Sequence, residues 1–294
     1  MCNEQDLARW ARDTRMTRRG FGGIAGAGAS VAVLPGALAG CVTGAYDNRL
    51  TEGAVSFSTP DGTMDGFFVR PTRTSSPGVL FWPDIAGLRE TKRNMARRLA
   101  GEGYAVLVVN PYYRDVAGEQ FADFADFAGT GGFQTVKPWR EKLTAEAIMS
   151  DATAAVGWLD AQAEVDTARG IGTQGYCMGG PFTFWSAAAV PSRIKGVASF
   201  HGGGLVREGD PMSPHNTFAD TQARYLVAIA KNDDAEAPED KTILREAAAQ
   251  AGRPAKIEVF SGDHGWTVPD SPAYDRPEAE RAYADLLALY GKAL

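Results

Sequence analysis

Cys177 sits at the centre of Gly175-Tyr176-Cys177-Met178-Gly179-Gly180, with a glycine two residues before it and another two after. That spacing suits a nucleophile held on a sharp turn between a strand and a helix. A turn so tight brings the flanking positions into collision, and glycine relieves it. In return the central side chain stands clear of the backbone, and the N–H of Met178 is aimed where an oxyanion would form. Residues 168–174 ahead of the turn read as a rising strand and 182–189 behind it as a helix. A free cysteine is most often a buried, inert thiol. In this setting the nucleophile reading is the stronger.

A thiol nucleophile needs a base, and the base needs an acid to orient it. The chain holds three histidines, His201, His215 and His264. His264 lies in Gly262-Asp263-His264-Gly265, on a loop after an apolar run, where an imidazole can reach across. Asp233 and Asp234 precede it, so the order is nucleophile, acid, histidine, the order of the α/β-hydrolases. His215, in Pro214-His215-Asn216, reads as a surface residue. His201-Gly202-Gly203-Gly204 has the form of a lipase oxyanion loop but follows the nucleophile instead of preceding it, so His201 is read as a pocket wall. A metal site is the poorer reading, because no two of the histidines have ligand spacing. No cofactor is called for.

These residues need elements to hold them. Two short alternating runs, 54–58 and 64–69, flank Thr59-Pro60-Asp61-Gly62 and predict an antiparallel hairpin at a sheet edge. Residues 78–82, 104–110, 194–200, 225–230 and 255–260 are apolar runs of strand length. Between them, 89–101, 141–163, 241–251 and 278–289 carry helical periodicity. Such alternation predicts an α/β fold with a mostly parallel sheet covered by helices on both faces. Ligands then sit beyond the carboxyl ends of the strands, where Asp84, Cys177, Asp233/Asp234 and His264 all fall. The pattern breaks between Pro111 and Pro138, where Phe121, Phe124, Phe127 and Phe133 lie among Asp and Gly. Their spacing reads as a packing stripe, with a lid or pocket wall as the functional alternative.

The 294 residues suffice for one well-cored domain. A net charge of −6 without a clustered basic face gives no footprint for nucleic acid. Residues 1–40 read as an export signal outside the fold. Thr17-Arg18-Arg19-Gly20-Phe21 is a twin-arginine pattern, followed by an uncharged Gly/Ala-rich run. That run ends in Leu38-Ala39-Gly40-Cys41, which resembles a lipoprotein box with Cys41 as the acylated residue; simple cleavage after Ala39 is the alternative. The expected location is therefore periplasm or cell envelope, with a lipid anchor as the sole membrane contact. Residues 41–53 read as a tether and 54–294 as the folded domain. Of the three cysteines, Cys2, Cys41 and Cys177, the mature chain would keep only Cys177 as a free thiol.

Taken together, these motifs resemble the dienelactone hydrolases, from about residue 54 to the C-terminus. Gly175-Tyr176-Cys177-Met178-Gly179-Gly180 looks like that family's G-Y-C-x-G-G elbow, and Pro83-Asp84-Ile85-Ala86-Gly87 is similar to its Q-E-I-F-G stretch. By resemblance, Asp84 contacts the thiol and helps activate it, and the Ile85 N–H pairs with that of Met178 as the oxyanion hole. Asn110-Pro111-Tyr112-Tyr113-Arg114 looks like D-L-Y-x-R, which makes Arg114 a partner for the acid or for a substrate carboxylate, and puts Tyr112 in the pocket lining. Counting back from Pro238, the triad acid is Asp234; counting forward from the strand it is Asp233, and the gap-free count favours Asp234. His264-Gly265-Trp266 with Pro272-Ala273-Tyr274-Asp275 matches the family's closing segment. The implied function is hydrolysis of small esters or lactones, with an anionic substrate suggested by Arg114. A thioester or acyl-transfer enzyme, and a non-catalytic envelope binding protein on the same scaffold, are the alternatives.

Overall fold

Gly78–Trp82 and Ala105–Val109 are apolar along almost their whole length, a pattern suited to a strand covered on both faces. In a computed structural model of the protein, which describes residues 49–72 and 75–294, these runs are β3 and β4, buried throughout. They belong to an eight-stranded sheet of order β1-β2-β4-β3-β5-β6-β7-β8. The other strands are β1 (Leu50–Thr59), β2 (Gly62–Pro71), β5 (Ile171–Tyr176), β6 (Ile194–Phe200), β7 (Arg224–Ile229) and β8 (Ala255–Val259). β1 and β2 form the expected antiparallel hairpin, and β2 runs antiparallel to β4. From β4 across to β8 every pairing is parallel. Strand β1 starts at Leu50, which pairs with Pro71, so the expected tether gives up residues 50–53 to the sheet. Cys41 and the twin-arginine pattern lie outside the described residues.

Alternate side chains of each strand serve two cores. Leu80, Trp82, Leu107 and Val197 pack under α4 (Ala145–Asp160) and α5 (Gly179–Ala189), with Ile148, Phe184 and Trp185 closing that side. Val79, Phe81, Val106 and Ala198 face the other way, against Leu99 of α1 (Glu90–Gly101) and Leu286 and Tyr290 of α8 (Arg276–Ala293). The helix predicted over 141–163 is shorter because Thr144 caps it, its hydroxyl accepting the Ala147 N–H at 3.2 Å. The segment after β4 folds as two short helices, α2 (Phe124–Gly129) and α3 (Gly132–Arg140). Phe127 is the hub of its aromatic stripe, with ring centroids of Phe121, Phe124 and Phe133 at 5.1, 5.5 and 4.8 Å. The stripe is packing. After β7 come α6 (Lys231–Glu236) and α7 (Asp240–Gln250), the latter on the α5 side of the sheet.

Candidate active site

The turn from β5 into α5 leaves Cys177 with φ of +53°, a left-handed conformation that costs a β-substituted residue energy. The surroundings hold it there: the Cys177 N–H donates to the Phe200 carbonyl at 3.0 Å, and the Gly180 N–H donates to the Cys177 carbonyl at 3.0 Å. The glycines are needed for lack of room. A Cβ on Gly175 would run into the Gly179 carbonyl, and one on Gly179 would lie 2.6 Å from the Pro83 carbonyl oxygen. Met178 follows at the head of α5, where a helix has no earlier carbonyl to occupy its N–H.

His264, buried in the loop after β8, is fixed from two sides. Its backbone N–H donates to Asn232 Oδ1 at 2.7 Å, and its Nδ1 lies 2.7 and 2.9 Å from the two oxygens of Asp233. Asp234 is not at this site: it pairs with Lys241 Nζ of α7 at 2.7 Å. The two acids are successive residues of α6, so their side chains leave the helix about 100° apart and only one can face the imidazole. Geometry therefore corrects the gap-free count, which favours Asp234, and gives Asp233 as the acid facing His264. Burial alone would push the His264 pKa down. The charge of Cys177, together with hydrogen bonds to Asp233 and to the Cys177 sulfur, overcomes this and raises it to about 10.

Asp84 is buried, and its partners differ from those expected. Its Oδ1 accepts the Ala86 N–H at 3.0 Å and Arg89 Nη1 at 2.7 Å. Its Oδ2 accepts Arg89 Nη2 at 3.0 Å and lies 2.7 Å from Lys92 Nζ. A carboxylate has about four lone-pair sites, and the Ala86 N–H and the Arg89 fork take three of them. Burial works against its charge, but Arg89 and Lys92 win and hold the pKa well below the usual carboxylate range. Asp84 is thereby held as a carboxylate, and the expected partner Arg114 is not among the residues that hold it. Arg114 is drawn instead to Asp151, at 2.8 Å, and Asp61, at 2.6 Å.

Two further expectations change. Tyr112 is buried behind the loop instead of lining the cavity; its hydroxyl donates to the Ile85 carbonyl at 2.8 Å and touches Met178 Sδ at 3.4 Å. It thus braces both residues expected to form the oxyanion hole. His201 is buried too, with φ of +40°, its Nε2 2.9 Å from Thr267 Oγ1 and its ring centroid 4.9 Å from that of His264. Burial, followed by repulsion from His264 and Lys92, holds its pKa well below the usual imidazole value, so it is a neutral backing for His264 and not a pocket wall.

Cys177, His264, Ile85 and Met178 open together onto a cavity of about 420 Å³. Its apolar wall is Leu143, Pro181, Phe182, Trp185 and Val206, and two cations, Arg140 and Arg207, complete it. Arg207 lies over the Trp185 ring, 5.0 Å from its centroid, and donates to the Gly204 carbonyl. Arg140, in the last turn of α3, has no ion-pair partner among the described residues. Sequence reasoning missed Arg89, Lys92, Arg140 and Arg207. For Lys92 a signal existed: it stands four and seven residues before Ala96 and Leu99, in the buried stripe of α1.

A family model described as the dienelactone hydrolase family matches residues 64–294. The chain is 29% identical over 290 residues to a candidate carboxymethylenebutenolidase of Methylorubrum extorquens, with 96% of this chain and 95% of that one covered. A counterpart from Escherichia coli is 24% identical over 255 residues, covering 85% and 90%. Among solved structures, a candidate dienelactone hydrolase from Klebsiella pneumoniae superposes with a TM-score of 0.71 at 24% identity, covering 83% of this chain and all of its own. The dienelactone hydrolase of Anabaena variabilis gives 0.60 at 16% identity, covering 84% and 99%. At such identities the structural likeness speaks for the fold, the α/β-hydrolase fold that the sequence implied.

Proposed function

The chain belongs to the dienelactone hydrolase family and is a hydrolase of that family, and from that footing we propose that it cleaves small esters or lactones through a thiol nucleophile, Cys177, with His264 as proton carrier and Asp233 as its orienting acid. The observation that carries this reading is the single imidazole engaged by Asp233 on one side and Cys177 on the other. A pKa raised to about 10 means that the ring is protonated at neutral pH and loses its proton only as pH climbs through that value. The resting pair is then thiolate and imidazolium, a nucleophile formed before substrate arrives.

The steps follow from these charges. The Cys177 sulfur attacks the carbonyl carbon, and the C=O electron pair moves onto oxygen, facing the N–H groups of Ile85 and Met178. Collapse of that adduct expels the alkoxide, which takes the proton of His264 Nε2, and leaves a neutral thioester on Cys177. With the thiolate charge gone, the largest influence raising the His264 pKa goes with it. Burial then weighs more against the influence of Asp233, and the neutral imidazole can take a proton from water. The resulting hydroxide attacks the thioester carbon, the C–S bond breaks, and the pair is restored.

Arg140 and Arg207 replace Arg114 as the seat for an anionic group of the substrate, since they line the cavity. The twin-arginine pattern and Cys41 support export to the cell envelope with a lipid anchor.

Iodoacetamide alkylation tests the thiol reading. An ordinary thiol reacts faster as pH rises toward about 8.5, whereas here the rate is expected to stay level from about pH 7 to 9, with ester turnover lost in parallel with the free thiol. Turnover that survives complete alkylation would overturn the proposal. For Arg140→Ala, KM for a carboxylate-bearing ester should rise about tenfold, the worth of one charged hydrogen bond, while a neutral ester of the same size is unaffected. A KM for the carboxylate-bearing ester that stays at its wild-type value in the variant would remove the anion seat.

A further inference from the structure

Arg89 is completely buried, and all five of its guanidinium N–H groups are committed. Nη1 and Nη2 donate to the two oxygens of Asp84 at 2.7 and 3.0 Å, and Nη1 also reaches the Gly87 carbonyl at 3.3 Å. Nε and Nη2 donate to the two oxygens of Asp270 at 2.7 and 2.8 Å. One planar fork thus grips two carboxylates at once, which the point charge of a lysine cannot do.

The two acids belong to different loops. Asp84 follows β3 and also holds the Ala86 N–H, so the turn carrying Ile85 is fixed from within. Asp270 follows His264 on the loop after β8, and its Oδ2 also accepts the Phe124 N–H at 3.1 Å, at the start of α2. Two loops that reach the cavity, through Ile85 and His264, therefore converge with the start of α2 on a side chain that does not line it. Stability is a weak reason for such a cluster, because apolar residues of similar volume often serve as well as buried ion pairs.

We infer that Arg89 is a positioning residue, a clamp that fixes the Ile85 N–H relative to Cys177 by tying the loop after β3 to the loop carrying His264. The inference rests on the proposed roles of Cys177 and Ile85. Oxyanion contacts strengthen only in the transition state, so a displaced Ile85 lowers kcat and leaves KM alone. Alkylation of the thiol by iodoacetamide develops no oxyanion, and it does not sense the clamp.

The test compares Arg89→Lys and Asp270→Ala with the wild-type chain, with Cys177→Ala as control. kcat and KM on a small activated ester are measured beside the iodoacetamide rate at neutral pH. Arg89→Lys keeps the charge and loses the double grip, and it should lower kcat about a hundredfold, the scale of a 1 Å misplacement or one lost oxyanion donor, with KM and alkylation unchanged. Asp270→Ala leaves the Arg89–Asp84 pair intact and should lower kcat in the same selective way, by about tenfold. If Arg89→Lys does not fold, Asp270→Ala decides alone. Wild-type kcat in the variants that fold, or alkylation falling together with kcat, would overturn the clamp while Cys177→Ala remains inactive. Wild-type turnover by Cys177→Ala would instead remove the reading of the site, and the clamp with it.

Discussion

Asp233→Asn is expected to lower kcat by about 10³–10⁴-fold, and Asp234→Asn to leave it within about twofold of wild type. The two acids are neighbours in sequence with the same charge, so composition and overall field are matched between the variants. They differ in what they face. Asp233 lies 2.7 Å from His264 Nδ1, and its carboxylate fixes the ring and supports its charge. An amide in its place removes that charge and can present an N–H to Nδ1, which favours the wrong tautomer. Asp234 holds a half-buried ion pair with Lys241, and breaking such a pair costs about 1 kcal/mol or less. The kcat/KM values of the three proteins on one ester decide the matter. A loss confined to Asp234→Asn would restore the gap-free count and contradict the geometry.

The second large effect is that of Cys177→Ala, for which turnover is expected to fall by at least about 10⁴-fold, toward the background reaction. Alanine meets the same left-handed strain as cysteine at φ of +53°, so the elbow should keep its shape. Its consequence for His264 gives a second check. With the thiol removed, the largest influence raising the imidazole pKa disappears while burial still lowers it. The ring should then titrate well below 10, and NMR of its side-chain resonances across pH would register the fall. An unchanged titration would mean that Asp233 alone holds the proton on the ring.

Much of this architecture was legible because burial writes itself plainly. The runs 78–82 and 194–200 match β3 and β6 residue for residue, since strands covered on both faces have no polar side to blur the pattern. The elbow was legible because its glycines answer to backbone collisions within one turn. The choice between Asp233 and Asp234 was not, because a one-residue shift on a helix swings the side chain to another face, and only the locations of His264 and Lys241 show which face each acid takes. Arg114 misled for a related reason. A cation in a loop does not declare its partner, and Asp61 and Asp151 lie 53 and 37 residues away in the chain. The network beneath Asp84 was partly visible, for Lys92 stands where the stripe of α1 calls for an apolar residue. A charge on a buried face asks for a counter-charge, and Asp84 supplies it.

Whether Cys177 carries the acyl group is decided by mass mapping of the wild-type chain quenched during turnover of an activated ester. An acyl adduct is expected on the peptide containing Cys177, formed and discharged at rates that sustain turnover, and absent from Cys177→Ala. Steady turnover with no adduct on that peptide, or an adduct on another residue, would contradict the nucleophile role of Cys177.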